Sequence, residues 1–400
     1  MISAKLPTAL ARITKRKIAT NDKRLLRLPT FEIYRSTALV ARAGTGFSRH
    51  CCFVTFEPLG YSTDLDRAAF GEHFLADKRI DAVHILPADN DWYQHPDFLE
   101  ACRQVAEITR HYERVVAYGS SMGGYAAIRF GGLVGAQTAF ALSPQFSIDP
   151  RLVPFEGRWR EQARALTFAN ERSASRFVAS AYIAYEPRGP DARHADLFRS
   201  HTNVVDIRIP NCGHPSTHYL AELGLLQAAV VDLANGTFDP VELRRQARQR
   251  RKDSPDFYLS LSYRARSETL RLALAERAVA QAPTDIRGLT YFGVLAAHAG
   301  RIGEAFEALD RAAAVDRHHP VVRRAYSEVH EIAGDLDRAL TILEELCNDP
   351  IPSEKGDRPR LAHLKRRRKF VLYRVFTNPT VLRRLGRRLD RLGRRLGLVR

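Results

Sequence analysis

A chain of 400 residues, 45% apolar and 27% charged, is longer than one core usually organises, so two or three structural units of a well-packed soluble protein are expected. Its net charge of +17 belongs to the ends: residues 1–30 hold eight Lys/Arg against one Asp, residues 351–400 hold seventeen against three Asp/Glu, and the middle is slightly acidic. Cys51, Cys52, Cys102, Cys212 and Cys347 show neither C-x-x-C spacing nor an even framework, which excludes a zinc or disulfide scaffold and fits a reducing compartment.

Residues 1–34 are a basic N-terminal segment without the apolar run of a secretory signal. No window approaches the roughly 18–20 apolar residues a spanning helix needs, so a cytoplasmic location is expected, with any membrane contact peripheral. From 35 to 240, apolar runs alternate with helical stretches. Strands are predicted at Thr37–Arg42, Cys51–Phe56, Asp81–Leu86, Arg114–Tyr118, Gln137–Leu142, Ala181–Tyr185 and Val204–Ile209. Helices are predicted at Arg67–Ala76, Pro96–His111, Met122–Phe130 and Ser216–Leu233. This alternation predicts a mostly parallel sheet with helices on both faces, whose chemistry gathers at the carboxyl ends of the strands.

Gly119-Ser120-Ser121-Met122-Gly123 follows the strand Arg114–Tyr118 and opens an alanine-rich helical run. That context makes Ser121 a candidate nucleophile on a strained strand-to-helix turn. Gly119 and Gly123 let strand and helix approach, and the Met122 N–H is a candidate oxyanion donor. Residues 145–180 interrupt the alternation with a charged, partly helical stretch, read either as a lid or as a long crossover. The strand Ala181–Tyr185 leads into Glu186 and then Asp191, and the strand Val204–Ile209 leads into Gly213-His214. Asp191 and His214 are the candidate acid and base, and Glu186 is the alternative acid. His194, which precedes the last strand, is read as a supporting histidine.

Residues 241–255 read as a charged linker. Over 256–350 the strand signal gives way to a 34-residue period that relates Gly300 to Gly334, Ala305 to Ala339 and Leu309 to Leu343. This is the period of tetratricopeptide helix pairs: two clear repeats with a degenerate one before them. Such arrays imply a protein partner, although two or three repeats can also be a packing extension. Residues 351–400 read as a basic amphipathic tail. Lys365-Arg366-Arg367-Arg368-Lys369 opens it, and Leu382, Leu385, Leu389, Leu392 and Leu396 form one helical stripe among arginines. The pattern over 355–400 suits an anionic membrane surface better than nucleic acid, since no nucleic-acid-binding motif accompanies it; a coiled-coil-like seam with a partner helix is the third reading.

Over roughly residues 35–235 the chain resembles the α/β-hydrolase superfamily. The resemblance is carried by the elbow at Ser121, the acid-bearing loop after the penultimate strand and the Gly213-His214 loop after the last. It implies nucleophilic catalysis on an ester, thioester or amide: Ser121 attacks, His214 takes and returns the proton, and Asp191 fixes the imidazole tautomer. The second oxyanion donor is then expected from Glu57-Pro58-Leu59-Gly60, at Leu59 or Gly60, because Pro58 has no N–H. Asp91, Trp92 and Tyr93 are candidates for substrate contact, or else a capped turn before the next helix.

The resulting expectation is a carboxylesterase or deacylase acting on an acyl ester, with a carbohydrate or lipid-linked substrate near the membrane and no cofactor or metal. An acyltransferase using the same triad is a close variant. An adaptor acting through the repeats and tail is the rival from another class. Geometry separates them: catalysis needs Ser121 Oγ within about 3.5 Å of a His214 nitrogen, whereas an Oγ buried under side chains favours the scaffold.

Overall fold

A computed structural model describes residues 30–60, 62–348 and 357–377. Eight strands form one sheet: β1 (Phe31–Arg35), β2 (Leu39–Gly44), β3 (Cys51–Phe56), β4 (Asp81–Pro87), β5 (Arg114–Ser120), β6 (Thr138–Leu142), β7 (Ser180–Tyr185) and β8 (Asn203–Arg208). Their order is β1-β2-β4-β3-β5-β6-β7-β8. β2 is antiparallel to both β1 and β4, and every other neighbouring pair is parallel. β1 begins within the segment 1–34, expected to be only a basic N-terminal extension, and ends one residue past it. Its alternation of Phe31, Ile33 and polar residues is short and largely exposed, as suits an edge strand.

The central strands are apolar runs because both faces of the sheet are covered. In β3, Cys52, Val54 and Phe56 pack on one side with Tyr93, Phe98 and Tyr125. Cys51 and Phe53 point to the other side, with Leu75, Tyr219 and Leu220. The helix expected over Ser216–Leu233 is two helices, Ser216–Glu222 and Leu225–Asn235. Gly224, at φ 68°, takes the left-handed conformation that ends the first of them.

The stretch 241–255, expected to be a linker, is packed structure. The helix Pro240–Gln249 is capped by Asp239 and buries Leu243 and Ala247 in the core of the second sheet face. Three helix pairs follow: Pro255–Arg264 with Glu268–Gln281, Ile286–His298 with Ile302–Val315, and Pro320–Ile332 with Leu336–Asn348. Gly300 (φ 79°) and Gly334 (φ 88°) turn the second and third pairs, and the period-related Ala305 and Ala339 are fully buried. The first pair joins the unit built on the sheet through a shared core, with Phe257, Tyr258 and Leu259 packed beside Tyr219 and Leu220.

At this seam Glu222 accepts hydrogen bonds from the Ser254 hydroxyl and the Asp256 amide. Burial, reinforced by the neighbouring Asp256 charge, pushes its carboxyl up to about 7. The folded chain therefore holds a proton there that the unfolded chain releases at lower pH, so this contribution to stability falls as pH rises toward 7. Glu222→Gln, which cannot titrate, should gain thermal stability relative to wild type between pH 5 and pH 8. Melting curves that stay parallel for the two proteins across that range would refute the assignment.

The opening of the C-terminal tail belongs to the repeats. The helix Asp357–Thr377 brings Leu361 and Leu364 onto Leu340 and Leu343. Three members of its basic run are ion-paired: Lys365 to Glu344, Arg367 to Glu331 and Arg368 to Asp337. The leucine stripe 382–396 lies outside the described residues. Among the described residues no helix is long and apolar enough to cross a membrane.

Candidate active site

Ser121 sits between β5 and the helix Met122–Arg129 at φ 52°, ψ −114°, a conformation that costs a non-glycine residue energy and must be held from outside. Its N–H donates to the Leu142 carbonyl of β6 at 2.8 Å, and its own carbonyl accepts the Tyr125 N–H at 2.9 Å. The two flanking glycines are required by contact. A Cβ on Gly119 would lie 2.3 Å from the Gly123 backbone, and one on Gly123 would lie 2.1 Å from the Phe56 carbonyl oxygen. Gly123→Ala must therefore push the helix off β3, and a loss of about 3 kcal/mol or more is expected by overpacking against unyielding backbone. Chemical denaturation checks this, and a midpoint equal to wild type would contradict it.

The serine, acid and base come together. Ser121 Oγ is 3.1 Å from His214 Nε2, and His214 Nδ1 is 2.8 Å from Asp191 Oδ2. Asp191 is in the first turn of the helix Pro190–Phe198 and is 2% exposed. Burial alone would raise its carboxyl. The charge and hydrogen bond of His214, and then those of Arg158, outweigh burial and hold the group below the usual aspartate value. Arg158 reaches the other oxygen of Asp191 at 2.9 Å and is itself held by Glu156.

Glu186 has a different task. It accepts the Asn211 and Arg188 amides and pairs with Arg264 of the first repeat helix at 3.2 Å, which ties the His214 loop to the repeats. His194 is fully buried, accepts the Phe146 N–H and bonds to Glu156 at 2.9 Å. Burial lowers its pKa, so it serves as a neutral strut behind Arg158.

The stretch 145–180 supplies three residues that the strand-and-loop pattern did not single out. Gln145 is fully buried, and its Nε2 donates to Ser121 Oγ at 2.9 Å. It stands just past β6, next to the elbow strand, and that strand-end position was the available signal. Arg158 braces Asp191, and Trp159 sets its ring 6.2 Å from the His214 ring. Nothing local in an arginine-rich insertion distinguishes these two from their neighbours.

Met122 opens the helix, where first-turn amides lack intrahelical partners. The loop after β3 passes against Gly123. Within it the Gly60 N–H is taken by Asn90 at 3.0 Å, while Leu59 is partly buried against the core. Asp91, Trp92 and Tyr93 do not present a binding face. Asp91 caps a turn by accepting the Tyr93 and His95 amides, and Trp92 and Tyr93 are 0% and 1% exposed, at positive φ. Two aromatic rings beside polar residues read as a platform in sequence; here both belong to the core, Trp92 with its ring 5.7 Å from that of Trp159 and Tyr93 with its ring 5.6 Å from that of Phe56.

Beyond His214 a cavity of about 490 Å³ runs between the Gly213-His214 loop and the first helix of each repeat. Tyr263 and Tyr291 stand in it with ring centroids 4.2 Å apart. Among the described residues no group of His, Cys, Asp and Glu is arranged to hold a metal ion.

No family model matches the chain, and no curated protein matches it in sequence. Among solved structures it is similar to an esterase of Pyrobaculum calidifontis, at 14% identity over 55% of this chain and 85% of that one, with a TM-score of 0.35. An esterase of Pyrococcus furiosus is similar at 11% identity over 56% and 97%, with a TM-score of 0.35. A tetratricopeptide-repeat protein of Thermus thermophilus is similar at 22% identity over 36% and 80%, with a TM-score of 0.25.

Proposed function

We propose that the chain is a serine hydrolase that cleaves acyl esters through an acyl-enzyme. The observation that carries this is the continuous line from Ser121 Oγ to His214 Nε2 and from His214 Nδ1 to Asp191, set on a turn whose strain keeps Oγ at the helix N-terminus. His214 Nε2 takes the hydroxyl proton as Oγ bonds to the ester carbonyl, and the carbonyl oxygen gains negative charge. The Met122 and Leu59 amides are the proposed donors to that oxygen. Collapse expels the alcohol, which receives the proton from His214. Water then repeats the sequence on the acyl-enzyme and returns free Ser121 and a carboxylic acid.

Because His214 protonates the leaving alcohol, that alcohol lies on the His214 side, where the repeat cavity opens. Its paired tyrosines and its balance of Asp256 and Glu328 against Arg287 and Arg324 suit an uncharged, polyhydroxylated leaving group such as a sugar.

One observation favours the adaptor instead: Ser121 is only 5% exposed, with Gln145 on its oxygen. Labelling by a fluorophosphonate probe separates the two readings. A wild-type chain that labels, with labelling lost in Ser121→Ala, supports the hydrolase. A folded wild-type chain that does not label assigns the work to the repeats.

A further inference from the structure

Against the loops that follow β7 and β8 lies a cavity of about 850 Å³ whose wall carries six arginines and no carboxylate: Arg188, Arg208, Arg244, Arg245, Arg248 and Arg251. Four elements converge to make it. Arg188 comes from the loop after β7 and Arg208 from the end of β8. Val241, Arg244, Arg245 and Arg248 are spaced i, i+3, i+4 and i+7 on the helix Pro240–Gln249 and therefore share one face, and Arg251 follows in the next turn. Ile209, Tyr219 and Phe257 contribute the apolar part of the wall.

Two of the six are neutralised, Arg245 by Glu242 and Arg208 by Asp206. Arg188, Arg244, Arg248 and Arg251 have no carboxylate within ion-pair distance among the described residues. Arg188 reaches only the Asn211 side chain, at 3.4 Å, and Arg251 only the Arg248 carbonyl, at 2.8 Å. In the cavity beside His214, by contrast, Arg287 is matched by Asp256, Asp285 and Glu222. Like charges gathered around one concavity repel each other, and the arrangement becomes favourable when an anion enters. Guanidinium groups present forked donors suited to phosphate oxygens, and the volume falls within the about 300–1,000 Å³ typical of ligand pockets.

We propose that this cavity binds a ligand carrying two or more phosphate charges. The site is separate from the triad and does not rest on the hydrolase reading. It touches both catalytic loops, since Arg188 and Asn211 lie on the loops that carry the acid, Asp191, and the base, His214.

The test uses the full chain, with inorganic pyrophosphate in a calorimetric titration at fixed salt. It compares wild type, Arg244→Glu with Arg248→Glu, and a charge-matched control, Arg49→Glu with Lys78→Glu, at exposed positions near the start of β3 and β4. Circular dichroism and melting curves establish that each variant folds. The expected result is binding by wild type and control, and at least about a tenfold weaker association for the cavity variant. Flotation on phosphatidylcholine vesicles with and without phosphatidic acid identifies the source of the phosphate. Recovery on the acidic vesicles that falls in the cavity variant assigns it to a lipid headgroup; recovery that is unchanged assigns it to a soluble ligand. Pyrophosphate that fails to bind wild type, or that binds both double variants alike, overturns the proposal.

Discussion

Ser121→Ala should lower kcat/KM for an acyl ester by about 10⁴-fold or more, because removing the nucleophile leaves only the binding and polarising parts of the site. The fold should survive. Alanine inherits the same strained backbone, and the amide bonds to Leu142 and Tyr125 that hold it are main-chain bonds. The substitution removes two side-chain contacts, to His214 and Gln145, so a stability change of no more than about 1–2 kcal/mol is expected. Initial rates on short-chain acyl esters and on an acetylated sugar, with a melting curve for each protein, check both halves. A folded variant retaining more than about a tenth of the activity would remove Ser121 from the chemistry.

What could be read from the residues was what depends on local geometry. A turn that needs two bare backbones declares itself by glycine two positions either side of a serine, and both glycines are packed against backbone. A 34-residue period declares helix pairs because each buried alanine and each left-handed glycine recurs where the same contact recurs. The acid was ambiguous because Glu186 and Asp191 stand close together after the same strand. Only the register of a helical turn decides which carboxylate faces His214, and tertiary packing sets that register. The residues over the site were illegible for a related reason. Gln145, Arg158 and Trp159 act through contacts with elements 24 to 55 residues away in sequence, in a stretch with no periodicity of its own. Trp92 and Tyr93 misled because an aromatic pair reads alike as core and as ligand platform. Trp92 packs on Trp159 and Tyr93 on Phe56, contacts across long sequence separations that the sequence does not reveal. The stretch 241–255 misled through its charge: Arg244, Arg245, Arg248 and Arg251 line the cavity while the helix is anchored by Leu243 and Ala247, too few apolar positions to stand out.

Asp191→Asn should reduce kcat/KM by about 10⁴-fold, and Glu186→Gln by less than about tenfold, although both remove one carboxylate charge from neighbouring positions. The asymmetry follows from where each carboxylate points. Asp191 accepts the Nδ1 proton of His214 at 2.8 Å; an amide there can present its NH₂ group and stabilise the wrong tautomer, so that Nε2 carries a hydrogen and cannot take the serine proton. Glu186 instead fastens the Asn211 amide and Arg264, so its loss loosens the base loop and the seam with the repeats without changing the imidazole tautomer. Arg158 sharpens the test. It occupies the second oxygen of Asp191 and is itself anchored by Glu156, so Arg158→Met leaves two buried carboxylates short of a cation. That variant should lose stability as well as activity, because an uncompensated buried charge is costly. Asp191→Asn, which keeps shape and removes the charge beside Arg158, should lose activity with the smaller stability change. Rates and urea midpoints for the three variants decide the matter. Equal rate losses in Asp191→Asn and Glu186→Gln would mean that the acid has been assigned wrongly.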